Sequence, residues 1–198
     1  ASANAGSAAQ GVVITPDGAR AFVATSSGMV IVIDVRTGAV TASANAGSAA
    51  QGVVITPDGA ILLVLCQDGT IKVIDIAPGS PTQYQVTASA NAGSAAQGVV
   101  ITPDGALAYV TTADGNSVLV FAITSSSITS ASTISPGPAV VLTLIATIPV
   151  GQGPAGIAVD PSRGAFVLVC NAAAGTVSVL GLPTSLPPVT LDFDVSPN

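Results

Sequence analysis

The sequence has no histidine, no tryptophan and no glutamate. Without histidine it lacks the side chain that titrates nearest neutrality, the commonest transition-metal ligand and the proton carrier of a hydrolase triad. Charged residues make up 7% of the chain, against about a quarter in ordinary domains. The four bases, Arg20, Arg36, Lys72 and Arg163, stand singly, and the net charge is −6. No basic stripe exists to neutralise phosphates or to hold an anionic lipid surface, which argues against nucleic-acid and membrane-surface binding. Aromatics are 3%, poor equipment for stacking bases or sugars. No glycine-rich loop ending in lysine is present to cradle a phosphate. No apolar run approaches the ~20 residues needed to span a bilayer as a helix. Cys66 and Cys170 are too few for a disulfide framework. Their settings, Leu63-Val64-Leu65-Cys66 and Val167-Leu168-Val169-Cys170, lead us to expect two core thiols acting as small hydrophobes.

What fills the chain instead is alanine, serine, threonine, glycine and valine, arranged in a repeat. The string ASANAGSAAQGVVITPDGA occurs at 1–19, 42–60 and 88–106, spacings of 41 and 46 residues. A divergent copy, ATIPVGQGPAGIAVDPSRGA, starts at Ala146, a further 58 residues along. It keeps Gly151 for Gly93, Gly156 for Gly98 and Pro161 for Pro103. The chain opens Ala1-Ser2-Ala3-Asn4 with no initiator methionine, which reads as a processed mature end, although a trimmed chain would look the same.

Each repeat predicts four short strands. An inner strand, Gly-Val-Val-Ile-Thr, runs into Pro-Asp-Gly, where proline presets φ, aspartate bonds the local backbone and glycine takes the positive φ. A second strand follows at 21–25, 61–66, 107–112 and 166–171, then a hairpin turn at Ser27-Gly28, Asp68-Gly69, Asp114-Gly115 or Ala174-Gly175. The third strands are expected at 29–35, 71–76, 117–123 and 176–180, and the fourth at 39–44, 85–90 and 140–148. These runs are short, β-branched and bounded by glycine or proline, which argues strand over helix. Several are apolar on both faces, as in Ile61-Leu62-Leu63-Val64-Leu65, the mark of a sheet covered on both sides. The expected fold is therefore all-β: a four-bladed β-propeller of about 41–58-residue repeats, each with four antiparallel strands. It forms one domain over 1–198, with blades at about 1–44, 45–90, 91–148 and 149–198. A stacked β-solenoid is the runner-up, though its repeats usually lack such hairpins.

These residues resemble the YVTN-type β-propeller repeat. Gly151, Pro154, Gly156-Ile157-Ala158-Val159 and Leu168-Val169-Cys170-Asn171 follow its pattern, as do Tyr109-Val110-Thr111-Thr112, Val32-Ile33-Asp34 and Val73-Ile74-Asp75. In the first three copies Ser-Ala-Ala-Gln-Gly replaces the proline-bearing loop. The resemblance implies a propeller fold and a secreted or cell-surface setting, with surface-layer-type proteins and some enzymes among its relatives. It also implies rings of about seven blades, more than the four units here.

Carboxylates are the only plentiful ionisable groups. Asp17, Asp58 and Asp104 recur at the Pro-Asp-Gly turn and circle one end of the blades. A ring of oxygen ligands for Ca²⁺ is conceivable, but turn residues bonding their own backbone is the favoured reading. Lys72 sits mid-strand and is expected to snorkel outward. Asp192 and Asp194 share one face of a tail strand expected at 189–195, where charge guards an open edge. The fourth repeat has no other segment to supply its last strand, so this tail must complete a sheet at home or in a neighbour. The Ser/Thr/Pro-rich stretch 125–139 reads as a surface loop. The resulting expectations are no catalytic residue, no metal or cofactor site, and no enzymatic activity. The protein is expected to be a secreted or cell-surface structural protein that self-assembles into a fibre, sheet or surface layer, hence a homo-oligomer or polymer. No small-molecule substrate is evident. The alternative is a binding module for a protein or carbohydrate partner.

Overall fold

The computed structural model describes residues 4–93, 95–126, 139–162, 164–181 and 190–193. Sixteen strands lie in these segments, and no helix does. They form four antiparallel sheets of four strands each, ordered β1-β2-β3-β4, β5-β6-β7-β8, β9-β10-β11-β12 and β13-β14-β15-β16. The first sheet comprises β1 (Ala9–Ile14), β2 (Arg20–Thr25), β3 (Met29–Asp34) and β4 (Val40–Asn45). The second comprises β5 (Ala50–Ile55), β6 (Ile61–Cys66), β7 (Thr70–Asp75) and β8 (Val86–Asn91). The third is β9 (Ala96–Ile101), β10 (Leu107–Thr112), β11 (Ser117–Ser126) and β12 (Ala139–Pro149). The fourth is β13 (Pro154–Val159), β14 (Phe166–Asn171), β15 (Thr176–Gly181) and β16 (Thr190–Phe193). Each sheet is one blade of a β-propeller.

Two local devices make the repeat fold this way. At the Pro-Asp-Gly turn, Gly18 takes φ +72°, a backbone state that side-chain-bearing residues avoid. Its N–H donates to the Thr15 carbonyl at 2.8 Å, and the Thr15 N–H closes the hairpin on the Arg20 carbonyl at 2.9 Å. The second device is the glycine of the inner strand. A Cβ on Gly98 would lie 2.7 Å from the Ala155 carbonyl oxygen of the next blade. Only glycine lets the inner strands approach that closely. Each inner strand is also bulged beside this glycine, as at Ala9 and Gly11 against Thr25 and Ala24. The bulge twists the strand toward the axis.

Successive inner strands touch one another, β1 with β5, β5 with β9 and β9 with β13. The core is split accordingly into three clusters, one between each pair of adjacent blades. Phe22, Val30 and Val32 of blade 1 meet Leu62, Val64 and Ile74 of blade 2. Leu63, Leu65 and Val73 of blade 2 meet Ala108, Val110 and Phe121 of blade 3. Tyr109 and Val120 of blade 3 meet Val167, Val169 and Leu180 of blade 4. Among the described residues no such cluster joins blade 4 back to blade 1, so the four blades form an arc.

The tail strand pairs at home: β16 runs antiparallel to β15, with Val177 opposite Phe193 and Leu180 opposite Thr190. Within the stretch expected to be a loop, β11 reaches Ser126 and β12 begins at Ala139, paired as Ser126 with Ala139. The serine-rich end of β11 and the Ala139-Val140 start of β12 thus extend the hairpin. The rest of that stretch, 127–138, lies outside the described residues, as does Asp194.

Candidate functional site: the two uncovered blade faces

The carboxylates at the blade turns are held by their own loops. The Thr15, Thr56 and Thr102 hydroxyls donate to Asp17, Asp58 and Asp104 respectively. The Ala19, Ala60 and Ala106 N–H groups donate to the same carboxylates at 2.9, 3.0 and 3.0 Å. The Thr15 hydroxyl, then the Ala19 N–H, hold Asp17 below the usual carboxylate pKa, and Thr102 and Ala106 do the same for Asp104. Blade 4 exchanges the roles: Asp160 stands where the other turns have threonine, and it accepts from the Ser162 N–H at 2.9 Å and hydroxyl at 2.8 Å. The turn-residue reading fits these geometries. No group of three or more metal-ligating side chains occurs among the described residues. Asp58 and Asp104 do border one cavity between blades 2 and 3, floored by Ile61, Ile123 and Val140. Lys72 is half-buried on β7.

The two thiols part company. Cys66 is buried at 1% exposure, and burial, reinforced by the nearby Asp68 charge, pushes its pKa up. Cys170 is exposed, which corrects the expectation of two core thiols. The reason is register: Cys66 is the sixth residue of its strand and Cys170 the fifth. Successive residues of a strand point to opposite faces. Cys66 therefore turns toward the preceding blade, and Cys170 turns away from it. The sixth position of β14 is Asn171, whose Nδ2 donates to the hydroxyls of Thr176 at 3.0 Å and Ser178 at 2.9 Å inside the blade.

On the first two strands of each blade, exposure of large apolar side chains is confined to the ends of the arc. In β6 all six residues are buried, because a blade covers each face. In β14, burial alternates strictly: Val167, Val169 and Asn171 are buried against blade 3, while Phe166, Leu168 and Cys170 are exposed. Phe166 and Leu168 are 54% and 46% exposed. With Ala158, Val159, Asp160, Pro161 and Val179 they line an open apolar cavity of about 450 Å³. Blade 1 shows the opposite face. The hexapeptide Ala-Gln-Gly-Val-Val-Ile occurs unchanged in β1, β5 and β9, so its copies differ only in their neighbours. Val53 and Ile55 pack into the cluster between blades 1 and 2, and Val99 and Ile101 into the one between blades 2 and 3. Their counterparts Val12 and Ile14 are 66% and 54% exposed. Nothing in the local sequence differs. Among the described residues no blade covers that face of β1.

The interblade joint also has polar parts that sequence reasoning missed. The Thr111 hydroxyl accepts from the Gly98 N–H at 2.9 Å and donates to the Ala155 carbonyl of blade 4 at 3.0 Å, pinning two inner strands together. Arg20 donates from Nη1 to the Ile76 carbonyl of blade 2 at 3.0 Å and to the Tyr84 hydroxyl at 3.3 Å. Tyr109, buried between blades 3 and 4, has its phenol pushed up to about 12, first by burial and then by the Asp104 charge.

Solved structures place this geometry in a class. The chain is similar to a candidate 6-phosphogluconolactonase of Bacteroides uniformis, at 15% identity and a TM-score of 0.73, covering 97% of this chain and 58% of that one. A candidate 6-phosphogluconolactonase of Bacteroides fragilis matches at 17% identity and 0.72, covering 94% and 55%. The Cps50 (Swd1) β-propeller domain of Myceliophteria thermophila matches at 18% and 0.66, covering 88% and 54%. At these identities the likeness is one of fold, and the fold is that of a β-propeller. No family model and no curated protein matches the sequence, so the resemblance to the YVTN-type repeat holds at the level of the propeller. The expectation of no enzymatic activity is corrected here: two of these neighbours carry the name of a lactonase, and the architecture is one that candidate enzymes share. The chain spans little more than half the length of the structures it matches. Four blades covering 54–58% of such chains correspond to rings of roughly seven.

Proposed function

We propose that this protein is a propeller module that works as an assembly of its own copies, a structural or interaction protein of the cell surface or extracellular space. Its four blades act as one unit. The observation that carries this reading is the hexapeptide Ala-Gln-Gly-Val-Val-Ile, covered by a preceding blade in β5 and β9 and bare in β1. A matching bare face lies on β14 at the other end. Contiguous exposed apolar surface of this kind marks an association site. A charged-residue content of 7% supports the same reading, since few charges must be desolvated when copies pack. The net charge of −6 argues against nucleic acid as the partner. Head-to-tail packing that does not close, into a fibre, sheet or surface layer, is the open alternative to a closed assembly. Light scattering on the purified chain across a range of concentrations tests the proposal. Species heavier than one chain support assembly; a single-chain mass at every concentration refutes it and favours a module for some other protein or carbohydrate.

A second reading is lactone hydrolysis. It draws on the two candidate 6-phosphogluconolactonases that share the fold. Acid release from 6-phosphogluconolactone above the spontaneous rate, by the purified chain, would carry it.

A further inference from the structure

The joint between blades is built the same way three times, and each end of the arc holds half of a fourth. On β2, β6 and β10 the first, third and fifth residues face the next blade. There Phe22, Leu63 and Tyr109 are 1%, 0% and 2% exposed. Their equivalent on β14, Leu168, is 46% exposed, and no further blade among the described residues packs on it. On the inner strands the fourth and sixth residues face the preceding blade, as Val53 and Ile55 do against blade 1. Their equivalents on β1, Val12 and Ile14, are 66% and 54% exposed, and no blade among the described residues packs on them.

The seat can be located to single side chains. A Cβ built on Gly52 would meet two atoms at 3.7 Å: the Leu65 Cβ of its own blade and the Val99 Cγ1 of the next. A Cβ on Gly156 meets its own blade's Cys170 Cβ at the same 3.7 Å, and among the described residues no atom of a further blade comes within 4 Å. Val99 is the fourth residue of the repeated hexapeptide, and its copy in β1 is Val12. The counterpart of the side chain that fills this place at the joint between blades 2 and 3 is thus present and exposed on β1 of the same chain.

From this continuity of an established interface we infer that a second copy of the chain covers both bare faces. Blade 4 of each copy packs on blade 1 of the other, and the pair closes a ring of eight blades. The inference rests on the assembly proposed above and specifies its joint and its number. A face that packs on a different face of its partner makes a head-to-tail contact, which closes into a ring when the rotation allows. Four blades of a ring of roughly seven turn by about a seventh of a circle per step. Eight require an eighth, an opening of about 6° at each joint, within the four-to-eight-blade range that propellers span. Once one joint has formed, the second is intramolecular and gains from high effective concentration, which favours the closed pair over an open chain of copies.

The test is a disulfide across the joint. Val12→Cys places a thiol at an exposed position opposite the native Cys170 of the second copy, while Cys66 is buried. Mild oxidation should convert the protein to a covalent pair of chains. Tryptic peptides should join position 12 to position 170, and Cys170→Ser in the same background should abolish the link. In the unsubstituted chain, alkylation of Cys170 should slow about tenfold once free chain reaches about ten times the dissociation constant. A ladder of linked species beyond two chains would overturn the closed ring while leaving assembly standing. Assembly by light scattering without the 12–170 link, or with Cys170 alkylated at an unchanged rate, would overturn this joint alone. Single chains throughout would overturn both.

Discussion

Leu63 and Leu168 occupy the same place in two blades, the third residue of the second strand, and shortening each to alanine separates the effect of a blade neighbour from the effect of sequence. Leu63 is 0% exposed, closed between blades 2 and 3 among Val73, Val110 and Phe121. Leu63→Ala removes three carbons from a packed site. It forfeits about 0.8 kcal/mol of transfer free energy per methylene and leaves a cavity, together about 3 kcal/mol. Leu168 is 46% exposed. The same truncation there loses only about half the transfer term and opens no cavity, because solvent already reaches the site, so the cost is ~1 kcal/mol. Urea titrations followed by circular dichroism, run at concentrations where single chains predominate, should give midpoints in that order. The comparison should use each variant's first transition, since repeat arrays need not unfold in one step. At concentrations where copies associate, Leu168→Ala should become more damaging while Leu63→Ala keeps its cost. If Leu168→Ala in single chains is as destabilising as Leu63→Ala, the face of blade 4 is covered within the chain and the reasoning fails.

Three further outcomes follow from the geometry. Gly98→Ala drives a Cβ to 2.7 Å from the Ala155 carbonyl oxygen, whereas Gly52→Ala meets nothing nearer than 3.7 Å. The first should cost about 1–3 kcal/mol by overpacking and the second much less, read as the difference in thermal midpoints. Asp17, Asp34, Asp68 and Asp104 have their folded pKa values lowered from 3.8, in each case chiefly by a threonine hydroxyl. Groups depressed in the folded state contribute stability that is present above the unfolded value and is lost as pH falls through the folded one. An acid titration should thus show stability holding down to about pH 4 and declining below it; a decline that begins near neutrality would contradict this. A thiol reagent should react rapidly with one cysteine per dilute native chain, Cys170, and with Cys66 only on unfolding; two fast thiols would mean that β6 is not enclosed.

The fold was largely legible because its signals are local. Pro-Asp-Gly, the Asp-Gly hairpin and runs such as Ile61–Leu65 each fix a turn or a strand without reference to the rest of the molecule. Errors arose where small or polar residues extend a strand. Ala9-Gln10 lies in β1 because a bulge carries the pairing past Gly11, and Ser125 and Ser126 stay on the ladder opposite Val140 and Ala139. Cys170 was misplaced although counting residues from the strand start would have put it a step out of register with Cys66. The candidate site was illegible for a deeper reason. Val12, Val53 and Val99 have identical surroundings in sequence, and the exposure of Val12 follows from its blade being first in the arc. Position in an array is a property of the whole chain, which no local pattern reports.

The central claim, that a second copy completes what this arc leaves open, is tested most directly by sedimentation equilibrium of the unmodified chain over a wide concentration range. A limiting mass of twice the 19.0 kDa of one chain is expected, reached reversibly and without larger species. A mass that stays at one chain throughout, or that climbs past two without limit, would contradict it.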